Sequence, residues 1–442
     1  MTECDYHVSW FPDLPARWLH HRFATGAISD ATFARGYHAS SMMTGWRQFG
    51  ETDLLFKPCE GTEFKDAAED ARTRSFISEV WDEHGTAPYG RDPRGILAKI
   101  VTAAAADGWR FQIGPEIEGY LFDEVRWGLR ANECFYRISE PESVDNARES
   151  SNPQNRGLVL THPSHHLAPT ADYGQKFRSR MVEMMIESGM HPLHCLHEAG
   201  PSQFEIGIRH DDPVKSGDNV QLFRRLARAC GTQGGKVATF MPMPLAFGPG
   251  SGMHINLSMW KDGRNAFHDG NGVSHTCMSA VAGIMKHARA LAAWLSPTSN
   301  SYLRLMHLYR ADMEASYGFG NQTGPHTDST ISGSESSTRC PAPWRTQSWR
   351  WTRTRHSFSG TAPSPQTPSK RTSRCSSGEP TAKPCIPTHV ISSRRSIAES
   401  AREHAKRPGP WTPMRIAVCG SAMRLSRILS SPGNADLGPG CD

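Results

Sequence analysis

Hydrophobic and polar positions along the chain fall into blocks of two distinct periods. Met253-His254-Ile255-Asn256-Leu257-Ser258 alternates with a period of two, which predicts a strand presenting His254, Asn256 and Ser258 on one face. Trp109–Asp123 reads as another strand, with Glu116 and Glu118 at i and i+2 and therefore on one side. His197-Glu198 and Phe204-Glu205-Ile206 read as a neighbouring hairpin. Helical spacing governs four segments: Pro93 to about Ala106 behind Asp92 as cap, Gly174–Ser188 stopped by Gly189, Ser216–Cys230 capped by Ser216 or Asp218, and Thr276–Leu295 ended by Pro297. The first carries Ile96, Leu97, Ile100 and Val101 as its apolar stripe; the second carries Met181, Met184 and Met185, expected to pack in a core. Short apolar pieces at Val8–Phe11 and Leu54–Phe56 sit among turn signals, and Arg126 to about Thr170 is a polar, turn-rich excursion. Strands flanked by long helices, without repeated βαβ signals, predict an α+β fold in which helices back a sheet.

The strand at 253–258 is entered through Gly248-Pro249-Gly250-Ser251-Gly252, whose glycines allow the backbone to approach a ligand closely. Alone, this is a glycine-rich turn beside a histidine. The acids change the picture. Glu116 and Glu118 side by side are costly without a cation or proton between them, and Glu198 and Glu205 add two more carboxylates. Four carboxylates and one imidazole form a hard, oxygen-rich donor set suited to Mg²⁺ or Mn²⁺ rather than zinc. His191, His194 and His197 recur every third residue, but a strand would send them to alternating faces, and only His197 adjoins the acid motif. Arg224, Arg225 and Arg228 are expected on a solvated helix face.

Composition separates the C-terminal part from the rest. Residues 324–442 carry 17 Lys and Arg against 7 Asp and Glu, a net of +10, while the remainder of the chain carries 32 against 37, a net of −5. The same 119 residues hold 33 Ser and Thr and 14 of the 31 prolines, and hydrophobic periodicity fails there. Eleven scattered cysteines form no CxxC pair and read as reduced thiols of a cytoplasmic protein. No stretch approaches a membrane span and the first residues lack a signal-peptide core.

Glu116-Ile117-Glu118, His197-Glu198 with Glu205, Ala238–Pro242, Gly250–His254 and Asn300-Ser301-Tyr302-Leu303-Arg304 resemble, in order and spacing, the successive motifs of glutamine synthetases and their glutamate–amine ligase relatives, from about Ser40 to about Asn321. The resemblance implies three parts: a β-grasp-like domain over 1–88, a catalytic domain over 89–323, and a tail over 324–442 that is disordered or out of frame. It implies ATP-dependent ligation of ammonia or an amine to glutamate through a γ-glutamyl phosphate, and a ring-like, dodecamer-type homo-oligomer in which the segment around Ser40-Ser41 serves a neighbour's site. Glu118, Glu198 and Glu205 would hold one Mg²⁺ or Mn²⁺ ion and Glu116 with His254 another. Gly250 and Arg304 would contact glutamate, and Ser258 the nucleotide.

Departures from the motifs bear on the amine. His38-Ala39 stand where the family has Asp-Gly, Arg310 replaces an acid of the flap, Pro249 replaces an Asn and Gln322 an Arg. His38 and Arg310 in the amine pocket point away from ammonium, toward another amine or a non-catalytic relative that binds metal or nucleotide only. Glu335–Pro343 can be encoded by codons that, one base away, read Val-Glu-His-Pro-Val-Pro-Gly-Ala, close to the family's C-terminal metal and ATP motif. A frameshift between about Phe319 and Glu335 accounts together for the composition change, the charge reversal and the missing motif. It is preferred over a basic nucleic-acid-binding tail.

Overall fold

The computed structural model describes residues 5–142, 165–169, 171–246, 248–269, 273–308, 414–419 and 422–427. In chain order, the first part comprises β1 (Tyr6–Pro12), β2 (Trp18–Ala24), α1 (Asp30–Arg35), β3 (Tyr37–Ala39), β4 (Leu54–Pro58) and β5 (Thr73–Trp81). The five strands form one sheet in the order β2-β1-β5-β4-β3, with β1 and β5 parallel and the other neighbours antiparallel. Strand β1 is buried on both sides. Its alternation sends Phe11 into a small core with Trp46, Leu54, Phe56 and Val80, and Val8 and Trp10 into the main core shared with the rest of the molecule.

The second part comprises α2 (Pro93–Ala106), β6 (Trp109–Phe122), β7 (Glu124–Arg130), β8 (Glu133–Ser139), α3 (Gln175–Glu187), β9 (Pro192–His197), β10 (Gln203–Ile208), α4 (Pro213–Gln233), β11 (Val237–Thr239), β12 (Met253–Lys261), β13 (Arg264–Asn265), α5 (His275–Leu295) and α6 (Ser299–Leu308). A hairpin of β14 (Met414–Cys419) and β15 (Ala422–Arg427) completes it. The main sheet runs β15-β14-β12-β6-β10-β9, with β11 added to β6 and β13 to β12. Strand β6 is its spine: residues 109–117 pair with β12, 116–120 with β10 and 120–122 with β11, all antiparallel.

Alternation along β6 and β10 decides what each face does. Ile117, Leu121, Phe204, Ile206 and Ile208 point to one side and join Met181, Met184 and Met185 of α3 and Phe223 and Leu226 of α4 in the main core. The three methionines are fully buried, as their spacing predicts. Glu116, Glu118 and Glu205 lie at the positions between, on the opposite face.

Several expectations are corrected. Helix α4 begins at Pro213, with Asp212 as its cap accepting from Val214 N at 2.8 Å. Ser216 and Asp218 are interior: Ser216 Oγ donates to Ile113 O at 2.6 Å, and Asp218 accepts from Arg94 at 3.1 Å. Of the α4 arginines only Arg228 is exposed, while Arg224 and Arg225 are half-buried. Arg225 bonds Asp66 at 2.7 Å and Glu69 at 2.6 Å, stacks on Trp10 at 4.8 Å, and so joins the N-terminal sheet to the helix layer. Arg224 donates to Ala16 O at 2.9 Å, and Arg228 lies over Phe240. Helix α2 has the predicted span, capped by Asp92, but its stripe is only partly covered: Leu97 and Val101 are half-buried, whereas Ile96 and Ile100 are exposed. The excursion after Arg126 begins with the β7–β8 hairpin. The 324–442 segment lies outside the described residues except for β14 and β15, where two strands stand in a stretch read as aperiodic. No helix of the described residues is long and apolar enough to cross a membrane.

Candidate metal and substrate site

Register brings the acids together. In the β6–β10 ladder Glu118 stands opposite Glu205, and in the β6–β12 ladder Glu116 stands opposite His254. Glu198 follows β9 directly, its N–H bonded to Gln203 O at 2.9 Å across the β9–β10 turn. Glu118, Glu198 and Glu205 each offer an oxygen within 4.8 Å of the others; oxygens of Glu116 and Glu205 and a ring nitrogen of His254 lie equally close together, with Glu205 common to both groups. All five residues predicted from sequence therefore lie in one pocket. A carboxylate-rich donor set of this size fits hard divalent cations, which take oxygen ligands and fill remaining positions with water.

Each carboxylate has a fixed partner. Glu118 Oε2 accepts from Gly252 N at 2.7 Å and from Gln203 Nε2 at 3.2 Å. Glu116 Oε1 accepts from Asn256 Nδ2 at 2.9 Å, which makes use of the face that Asn256 shares with His254. His165 Nε2 lies 2.7 Å from Glu198 Oε2, and His194 Nε2 lies 3.1 Å from Glu205 Oε1. His254 Nδ1 is 3.6 Å from Glu116 and its Nε2 3.7 Å from Glu118. Burial pushes the Glu118 carboxyl up from its ordinary range; the charges of Glu198 and Glu205 add to this, while His254 and Arg304 oppose it.

The glycine loop is shaped by what packs on it. A Cβ on Gly250 would come within 2.5 Å of Arg304 Cγ and 2.6 Å of Pro242 O; one on Gly252 would come within 2.9 Å of Glu118 Oε1. Tyr120 Oη donates to Pro249 O at 2.5 Å and props the loop from beneath. Asn300 clamps the preceding segment through Met243 N at 2.7 Å and Met243 O at 2.9 Å, and Arg304 stands one turn further along α6, buried against the loop. Arg304, Gly250 and Gly252 thus form one wall beside the acids.

Other predicted residues fall elsewhere. Ser258 is on β12, four residues beyond His254 and so ~13 Å along the strand, and its hydroxyl accepts from Trp260 Nε1 at 2.9 Å. His38 is exposed on β3, with Nε2 2.9 Å from Glu83 O, outside the acid pocket of its own chain. Arg310 and Gln322 lie outside the described residues.

The histidine reading is corrected. His197 faces away from the pocket into a second buried group, bonded to Glu142 at 2.9 Å beside Asp172, which is itself paired with Arg178. His194 is the histidine that reaches the acids, because the β9–β10 register sets it diagonally across from Glu205. Counting three histidines along one strand missed it; reading them across the predicted hairpin would have found it. Gln203 and His165 carried no comparable signal.

Comparison with known proteins identifies the family. The family model described as "Glutamine synthetase, catalytic domain" matches residues 90–333. The chain is 34% identical over 321 residues to a glutamine synthetase of Aquifex aeolicus, covering 71% of this chain and 67% of that one. It is 32% identical over 323 residues to one of Frankia alni, covering 71% and 68%. Among solved structures, Plasmodium falciparum glutamine synthetase superposes with a TM-score of 0.65 at 22% identity, over 72% of this chain and 64% of that one. A structure titled a novel glutamine synthase homolog gives 0.58 at 19% identity, over 73% and 72%. The chain thus spans about two thirds of the length of the curated relatives it matches.

Proposed function

The chain belongs to the glutamine synthetase family, and from that premise we propose that it is a glutamate–ammonia or glutamate–amine ligase driven by ATP. The observation that carries the reading is the convergence of Glu116, Glu118, Glu198, Glu205 and His254 beside a wall of Arg304, Gly250 and Gly252.

In this reading an oxygen of the glutamate γ-carboxylate attacks the γ-phosphorus of ATP, and ADP leaves. The amine nitrogen then attacks the acyl carbon, expelling phosphate and losing a proton. Glu118, Glu198 and Glu205 would hold one divalent cation, Mg²⁺ or Mn²⁺, and Glu116, His254 and Glu205 another. Such cations screen the repulsion between triphosphate and carboxylate during an in-line displacement. His254 must be neutral at the nitrogen that ligates. Arg304 receives a substrate carboxylate through its planar fork, and the missing Cβ of Gly250 leaves the loop backbone open to that substrate. Ser258 contacts the nucleotide, and its distance from His254 suits a substrate as long as a nucleoside triphosphate. The segment around His38 serves the site of a neighbouring subunit in a ring-like homo-oligomer, which is consistent with its exposure on its own chain. His38 and Arg310 in place of acids disfavour ammonium and favour a small primary amine.

A second reading, a relative that binds metal or nucleotide without turnover, is favoured by one observation: the family match ends at residue 333, leaving the basic C-terminal stretch outside it. Phosphate release with glutamate and a panel of amines separates the two. The chain as it stands is expected to show little turnover, since the loss of one positioned charge stabiliser costs on the order of 10²–10³ in rate. A version with its reading frame restored near residue 320 is expected to turn over ATP in the presence of glutamate and amine. No ATP turnover by the restored version would overturn the ligase reading.

A further inference from the structure

We propose that His194 is a positioning residue that fixes the carboxylate of Glu205, the one acid common to both cation groups, and thereby sets metal affinity; this rests on the metal-site reading above. His194 Nε2 lies 3.1 Å from Glu205 Oε1. Donation from that nitrogen holds one oxygen of Glu205 and turns the carboxylate so that it can face both groups. Without it, a glutamate side chain surrounded by like charges swings away from them.

The fold is built to admit this contact. His194 stands directly opposite Gly207 in the β9–β10 ladder, and the ladder shifts register immediately after Gly207. A Cβ at position 207 would come within 2.3 Å of the imidazole Cε1 and 2.7 Å of Nδ1. The ring therefore lies flat over a missing side chain, and only a glycine leaves room for it. Any larger residue at 207 would push the ring off β10 and away from Glu205. Gly207 has an ordinary strand backbone, since it is absent from the glycines of positive φ, so it is the space and not the conformation that requires it. Because Glu205 belongs to both cation groups, an error in its orientation reaches both.

The test is Mn²⁺ binding by the full chain, followed by electron paramagnetic resonance of the free ion and needing no turnover. Loss of an outer partner of a metal ligand typically lowers affinity 10–100-fold, and His194→Ala is expected to do so. His194→Gln, which keeps an N–H at a similar reach, is expected to restore most of the affinity. Gly207→Ala should match His194→Ala, and adding it to His194→Ala should cost no further affinity, because the ring it displaces is already gone. Melting temperatures in EDTA show whether each variant is folded; if His194→Ala is not, His194→Gln and Gly207→Ala decide the matter between them. Unchanged Mn²⁺ affinity in His194→Ala or in Gly207→Ala, or a Gln variant as weak as the Ala variant, overturns the role of His194 alone. Failure of the unaltered chain to bind Mn²⁺ overturns the metal-site reading and this one with it.

Discussion

Replacing Glu118 by Gln is expected to stabilise the metal-free protein while weakening its hold on cations, and the opposed signs make the test severe. Glu118, Glu198 and Glu205 bring carboxylate oxygens within 4.8 Å of one another. At that separation and an effective dielectric near 20, each like-charge pair costs about 3.5 kcal/mol. Much of this is offset by His254 Nε2 at 3.7 Å and by the N–H groups of Gly252 and Gln203 at 2.7 and 3.2 Å. The balance remains adverse, since burial and the two neighbouring acids hold the Glu118 carboxyl above its ordinary titration range. A gain on the order of 1 kcal/mol on removing the charge is therefore expected at neutral pH, or about 2 °C in Tm for a chain of this size.

The sign with pH follows from the direction of the shift. The folded protein binds this proton more tightly than the unfolded chain, so Glu118 takes stability away as pH rises from the ordinary carboxylate range through the raised value. The difference between wild type and Glu118→Gln should be small near pH 4 and open toward pH 7.5 when both are melted in EDTA by calorimetry. With Mn²⁺ at 100 times its Kd the wild type gains about 2.7 kcal/mol, and the order of the two proteins reverses. A Gln variant that melts below wild type in EDTA at pH 7.5 would refute the claim that these acids are held together at a cost that a cation relieves.

Met184→Ala should lower stability by roughly 2–5 kcal/mol, because its side chain is fully buried between α3 and the sheet; a urea midpoint unchanged from wild type would contradict that packing. Arg225→Ala should cost about 2 kcal/mol, somewhat less than a fully buried pair because the arginine is 25% exposed while Asp66 is fully covered. Limited proteolysis is expected to release the first 90 or so residues faster in that variant, and equal rates would argue against Arg225 as the joint. Mn²⁺ titrations should show one site filled without nucleotide and a second that fills only with a non-hydrolysable ATP analogue; two equal sites without nucleotide would overturn the inequality of the two groups.

Much of the site was legible because strand alternation is a strict rule. Glu116 and Glu118 two apart, and His254, Asn256 and Ser258 two apart, could only share faces once the strands were recognised. The methionines of α3 were equally legible from helical spacing. What was missed depends on contacts between elements. Arg225 reads as a surface residue until Asp66, Glu69 and Trp10 of another part of the chain meet it. Ser216 and Asp218 resemble caps, but Asp212 with Pro213 after it starts the helix earlier and carries both into the interior. The group of Glu142, Asp172 and His197 draws two of its members from a stretch with no periodicity to place them.

In the proposed metal-site reading, the two cation positions would be unequal because of what stands on the outer edge of β12. That edge is closed by β14, whose register puts Ala417 opposite His254 and Arg415 opposite Asn256. Pairing satisfies the backbone of β12 and removes an exposed edge, yet β14 and β15 contain no acidic residue and three arginines, Arg415, Arg424 and Arg427. The group of Glu118, Glu198 and Glu205 has three carboxylates, whereas the group next to β14 has Glu116, an imidazole and an acid it must share. The resemblance implies a further metal-binding glutamate in the C-terminal region, and the sequences of β14 and β15 contain none. Mg²⁺-type cations are commonly held by one or two carboxylates, with water and substrate phosphates completing the shell. In the proposed reading the position beside β14 would depend on the triphosphate for much of its negative charge, and cation binding there would be coupled to nucleotide in a way that the three-carboxylate position would not be.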